Sequence, residues 1–207
     1  MVQKSQNPEP KRRGRPRAYD PEAALNRATE AFWKTGYSGT SLDDLAGATG
    51  MNRPSIYAAF GDKHALYLAA LARYWELGLA AMEEALPDAV PLRDGLMRVY
   101  DRALGMYFPG KGRPRGCFGI GTAATEAVED GAIRAVFADG LRRIEARFAA
   151  RLRFARQRGE LRAGADPAAL AMLAAAVLHS LALRARAGTP RRELEDMARK
   201  MVSVICA

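Results

Sequence analysis

The residues of this 207-residue chain that could do chemistry fall into two stretches. The first is Lys11-Arg12-Arg13-Gly14-Arg15-Pro16-Arg17. Extended arginines around glycine, here Arg13, Arg15 and Arg17, can enter a narrow A·T minor groove where the negative potential is strongest, or can rest on phosphates alone. The same tetrapeptide returns as Gly112-Arg113-Pro114-Arg115 in a predicted internal loop, so the motif is not diagnostic by itself. The second stretch is Cys117, which follows Arg113 and Arg115 at a predicted helix start. Both cations and a helix N-terminus would favour its thiolate, and the competing reading is a small packed thiol.

Catalytic constellations are missing from the sequence. His64 and His179 lie far apart, as do Cys117 and Cys206, and no Ser/His/Asp set or metal-ligand spacing can be assembled from them. Gly116-x-x-Gly119-x-Gly121 runs in the reverse order to the dinucleotide fingerprint and follows no predicted strand. His179 reads as a satisfied core histidine. We therefore expect a protein that is not an enzyme and holds neither cofactor nor metal.

Composition supports a binding protein. The net charge is +9, with 49% hydrophobic and 27% charged residues, and mean hydropathy is −0.22. These values exclude disordered and fibrous classes. Charge is uneven along the chain. Residues 1–17 hold six Lys/Arg against Glu9, whereas 18–65 hold four against six acids. Residues 66–207 hold 22 against 16. A basic arm beside a mildly acidic 18–65 stretch points to nucleic acid, and without an amphipathic apolar face it argues against a membrane surface. The apolar stretch from Ala168 to Ala182 is too short and too polar at its edges to span a bilayer. The start of the chain lacks the apolar core of a secretory signal, so a cytoplasmic location is expected.

The elements that must position these residues read as all-α, with about nine helices. The first opens at Asp20 with Pro21 and stops at Gly36. A second starts at Thr40-Ser41, Gly50 turns the chain, and Asn52 caps a third carrying Ile56, Tyr57 and Phe60. Two short helices joined by a glycine turn and braced by a preceding helix make a helix-turn-helix. Longer helices follow, from Asp62 to before Pro87 and from Pro91 to Phe108, then a loop from Pro109 to Gly116. Further helices span about 117–128, 132–158, 167–187 and 190–206. This divides the chain into a basic arm (1–17), a helix-turn-helix domain (18–65) and a C-terminal helical domain (66–207).

The pattern Thr40-Ser41-x-x-x-Leu45-Ala46-x-x-x-Gly50-Met51-Asn52-x-x-Ser55-Ile56-Tyr57-x-x-Phe60-x-x-Lys63-x-x-Leu66 resembles the N-terminal domain of the TetR/AcrR family of transcriptional regulators. Thr49, Asn52 and His64 depart from it, where alanine, serine and an acid are usual. The resemblance implies a ligand-responsive regulator, a repressor released from a pseudo-palindromic double-stranded operator by a small molecule or electrophile. It implies base-edge contacts from Arg53 and Ser55, with Asn52 and Ser41 at the helix starts, and phosphate contacts from Thr40, Tyr57 and Lys63. It implies a homodimer through the last two helices, whose apolar stripes are Leu170, Leu173, Val177 and Leu181, then Leu194, Met197, Met201 and Ile205. It also implies an effector cavity, for which Trp75, Tyr100, Met106, Tyr107, Cys117, Phe118 and His179 are the candidate lining. Some members with a similar Arg-Gly-Cys stretch sense oxidants or electrophiles. The alternative function is an architectural protein that coats A·T-rich DNA through its arm.

Overall fold

The computed structural model describes residues 20–110 and 112–207. Arg13, Arg15 and Arg17 of the basic arm therefore lie outside the described residues. Nine α-helices and one π-helical turn make up the described chain, with no strand among those residues.

Helix α1 (Pro21–Thr35) starts where Asp20 accepts from the Glu22 amide, and it buries Ala24, Ala28, Phe32 and Trp33. Helix α2 (Leu42–Thr49) is held by a reciprocal capping box. Ser41 Oγ accepts from the Asp44 amide at 3.1 Å while Asp44 accepts from the Ser41 amide at 2.8 Å. Gly50 then takes a left-handed conformation, φ 70°, which glycine adopts without the steric cost of a Cβ. Helix α3 (Arg53–Phe60) begins with Asn52 accepting from the Ser55 amide at 2.9 Å. Only Ile56 of α3 is fully buried, and the rest of this short helix leaves its outer surface to solvent.

Helix α4 (Lys63–Ala85) belongs to both halves of the molecule. Leu66, Tyr67 and Ala70 close the core under α1 and α3, while Trp75, Met82 and Ala85 enter the second core. Helix α5 (Leu92–Tyr107) follows. The helix expected over about 117–128 is instead a π-helical turn, Gly119–Ala123, with a single α turn, α6 (Ala124–Glu126). The reason is close approach. Gly119 and Gly140 seat the Trp75 indole from two sides, and a Cβ at Gly140 would overlap its ring. Such π segments occur preferentially where local packing departs from a plain helix.

Helix α7 (Gly131–Gln157), capped by Asp130, packs against α8 (Pro167–Arg186), and α9 (Arg191–Ile205) closes the bundle against α5 and α8. By length and composition alone α8 could cross a membrane, yet Ala171, Ala174, Leu178, Leu181 and Ala185 are buried in the bundle. The stripes expected to pair two copies are mostly intramolecular core. Val177, Leu181, Leu194 and Ile205 are buried, and the outward apolar residues are Met172 and Leu183 on α8 and Val204 on α9.

Candidate functional site

Two surfaces collect the candidate residues. On the first, Ser41, Asn52 and Arg53 are exposed, Ser55 is half-buried and Tyr57 is 47% exposed, all on or beside the adjoining ends of α2 and α3. The capping geometry explains the presentation. Each cap turns its side chain back onto its own helix start and so fixes which residues follow outward. Arg53 is engaged: Nε and Nη2 donate to Asp43 at 2.9 and 2.5 Å, a bidentate link between α3 and α2 on the open surface. Lys63 is half-buried, with its ammonium 4.5 Å from the centre of the Tyr37 ring.

Thr40 departs from expectation. It is 1% exposed, its hydroxyl donates to the Gly36 carbonyl at 2.6 Å, and it shares a 2.7 Å bond with Thr35 Oγ1. A hydroxyl with its proton committed inward holds the α1–α2 turn and is not available to a phosphate. Thr49 is likewise buried, bonded to the Leu45 carbonyl at 2.7 Å.

The second surface is internal. A cavity, part of it open to solvent, lies between α4, α5, α7 and α8. Trp75, Met106, Tyr107, Cys117 and His179 line it together. Two expected residues do not. Tyr100 is fully buried, donates to the Ala174 carbonyl at 3.1 Å and packs near Phe148, so it ties α5 to α8 in the core. Phe118 is buried in an aromatic joint with Trp33, Tyr67 and Tyr74, where the N-terminal helices meet the C-terminal bundle. Residues missed in the sequence include Tyr74, Gly78, Met82, Arg102, Ala103 and Leu178. Helical spacing from Trp75 and Met106 would have found several of them, since Gly78 and Met82 lie three and seven positions beyond Trp75.

Cys117 also differs from its expected chemistry. Burial pushes its thiol up, despite hydrogen bonds that pull the other way, one of them from Tyr74 Oη at 3.1 Å. Of the two cations expected to favour its thiolate, Arg115 points elsewhere. The Arg115 guanidinium lies 3.8 Å from the centre of the Trp33 ring and pairs with Glu30, both on α1. The electrostatic argument for a thiolate at rest therefore fails.

Arg115 occupies a junction. Its amide donates to the Tyr107 carbonyl at 2.9 Å and its Nε to the Met106 carbonyl at 3.1 Å, both on the cavity wall. Its own carbonyl accepts from Arg186 at the end of α8, at 3.2 Å. One residue thus touches the cavity wall, the C-terminal end of α8 and α1. Other links across the same boundary are His64 Nε2 with Asp130 at 2.7 Å and Ser38 Oγ donating to Glu126 at 2.8 Å.

Comparison with known proteins places this architecture. Residues 24–70 match the family described as bacterial regulatory proteins, tetR family, and residues 93–201 match the tetracyclin repressor-like C-terminal domain. The HTH-type transcriptional repressor ComR of Escherichia coli K12 is 32% identical over 195 residues, covering 91% of this chain and 90% of ComR. Among solved structures, a cysteine-substituted form of the TetR family transcriptional regulator CifR, complexed with 26-bp double-strand operator DNA, is 32% identical. It superposes with a TM-score of 0.83 over 92% of this chain and 98% of that one. Reduced NemR of E. coli, at 22% identity and a TM-score of 0.79, shares the fold. These relatives are regulators, and they favour that reading over the architectural alternative. With a capped helix-turn-helix at one end, a helical bundle around a cavity at the other, and both halves matched, the chain belongs to the TetR family of bacterial regulatory proteins.

Proposed function

We propose that this protein is a homodimeric, cytoplasmic repressor that reads a pseudo-palindromic operator and releases it when a small molecule fills the cavity. The observation that carries this reading is the Arg115 junction, which joins the wall at Met106 and Tyr107 to Glu30 and Trp33 of α1. A ligand that displaces the wall changes where α1, and with it α2 and α3, can sit. The exposed start of α3 offers Arg53 and Ser55 to base edges, with Ser41, Asn52, Tyr57 and Lys63 around them for phosphate and edge contacts. The arm, through Arg13, Arg15 and Arg17, supplies attraction that the mildly acidic helix-turn-helix stretch, 18–65, lacks.

One helix-turn-helix reads only a few base pairs, so specificity calls for two copies about one helical turn apart. The outward residues Met172, Leu183 and Val204 offer the apolar face for that pairing through α8 and α9. Selection of bound sequences from random DNA, followed by footprinting, tests the reading. A protected two-fold-related site supports it, and uniform coating of A·T-rich DNA overturns it.

A further inference from the structure

The chemistry of the cavity walls limits what can occupy them. No carboxylate lines the cavity, and its one arginine, Arg102, is engaged at the rim. Arg102 Nη1 donates to the Ala81 carbonyl at 2.7 Å and to Glu84 at 3.0 Å. Tyr74 Oη already donates to Cys117 Sγ. Three polar side chains of the lining make no hydrogen bond among the described residues: the Trp75 indole, whose Nε1 is seated against Gly140, the Tyr107 hydroxyl on α5 and the His179 imidazole on α8. Burial favours the neutral form of the last two, holding the Tyr107 hydroxyl well above and the His179 ring below its ordinary value. An ion entering such a site loses its water, and the one charged side chain on the walls, Arg102, is already paired with Glu84. An apolar ring loses only unfavourable hydration, and a single hydroxyl, carbonyl or ring N–H finds a partner in Tyr107 or His179.

We propose that the cavity takes an uncharged, ring-bearing apolar molecule with one hydrogen-bonding group, packed on Trp75 and Met106 and read by Tyr107 and His179, and that it rejects carboxylates and ammonium ions. This rests on the effector-cavity reading given above and names the class of effector.

Isothermal titration of the full-length protein with naphthol, naphthalene, naphthoate and naphthylmethylamine tests it. Naphthol is expected to bind, with naphthoate and naphthylmethylamine at least about tenfold weaker. Tyr107→Phe or His179→Leu is expected to cost naphthol about fivefold, the loss of one net hydrogen bond, while leaving naphthalene unchanged. Retained naphthalene binding shows that the variant still folds around its cavity. Ala103→Trp, which fills the space, is expected to block every member of the series. Naphthoate or naphthylmethylamine binding within tenfold of naphthol overturns the ligand class but leaves the effector cavity standing. So does a naphthol-to-naphthalene ratio unmoved by both single variants. Binding unaffected by Ala103→Trp, or no binding by any of the four, overturns the cavity reading and this proposal together.

Discussion

Arg53 is the residue proposed to read sequence, and the structure gives it a partner in Asp43. Its bidentate link to Asp43 fixes the guanidinium plane on an open surface, where an exposed pair of this kind contributes little to stability. Its significance is orientation. Arg53→Ala is expected to weaken operator binding by about 1–3 kcal/mol and to relax preference at one base position in each half-site. Competition between operator variants in a gel-shift assay checks this, and an unchanged base preference would reduce Arg53 to a phosphate contact. At the cavity, His179 carries a pH signature. Desolvation holds its folded-state value below the ordinary 6.5, while Glu145 pulls weakly the other way. The unfolded chain takes up this proton first as pH falls. Stability is therefore intact above pH 6.5 and declines as pH drops from there through the depressed folded value. His179→Gln is expected to show a shallower fall in melting temperature between about pH 7 and about pH 5 than the parent. Equal slopes would count against a buried, neutral imidazole.

At the level of elements, the segment between α5 and the π turn is the proposed coupling element. Arg115 within it is bonded through the backbone to both α5 and α8, and its side chain reaches Met106 on α5 and Trp33 and Glu30 on α1. Arg115→Ala removes the α1 contacts and the side-chain bond to the Met106 carbonyl, and keeps the amide and carbonyl bonds. We expect unliganded operator affinity and cavity binding to stay within about twofold, while the ratio of operator affinities without and with cavity ligand collapses. Coupling of this kind is worth about 1–3 kcal/mol in typical allosteric proteins. Titrating operator DNA against the variant at zero and saturating ligand measures the ratio, and a ratio matching the parent would show that the signal travels by another route. The aromatic joint around Phe118 is the obvious alternative, since Trp33, Tyr67 and Tyr74 meet there.

At the scale of the whole molecule, the proposed function has two copies acting on a polyanion. Substituting the outward apolar residues, Met172→Glu together with Leu183→Glu, is expected to convert a dimer to a folded monomer with weakened operator binding. Both side chains are 55% exposed in the single chain, so the substitution spares the core. Sedimentation velocity reads the outcome, and a persistent dimer would move the interface elsewhere. Charge acts over a longer range. Removing residues 1–17 takes away six of the 32 basic residues and only one acid. Binding to any DNA should weaken, and the plot of log affinity against log salt should flatten because fewer counterions are released. An unaltered slope would show that the arm makes no phosphate contacts.

Much of the fold was legible in the residues because its signals are local. Asp20-Pro21, Gly50, Asn52 and Asp166-Pro167 set helix starts and turns through bonds to near neighbours, and the structure forms them as read, while at Thr40-Ser41 it is Ser41, boxed with Asp44, that caps. The spacing around Gly50 carried the family resemblance for the same reason. Helical periodicity, however, marks an apolar face without saying what covers it. Tertiary packing decided that Tyr100 and Phe118 are core while Trp75 and Tyr107 face a cavity, and that Val177 and Leu181 look inward while Met172 and Leu183 look out. It also turned Thr40 inward, and it sent the Arg115 guanidinium to Trp33 instead of Cys117. Caps and turns are satisfied within a few residues of sequence, so the chain itself determined them. Which side of a helix meets another helix, an empty space or a second copy depends on contacts far apart in sequence, and only the assembled bundle fixes those.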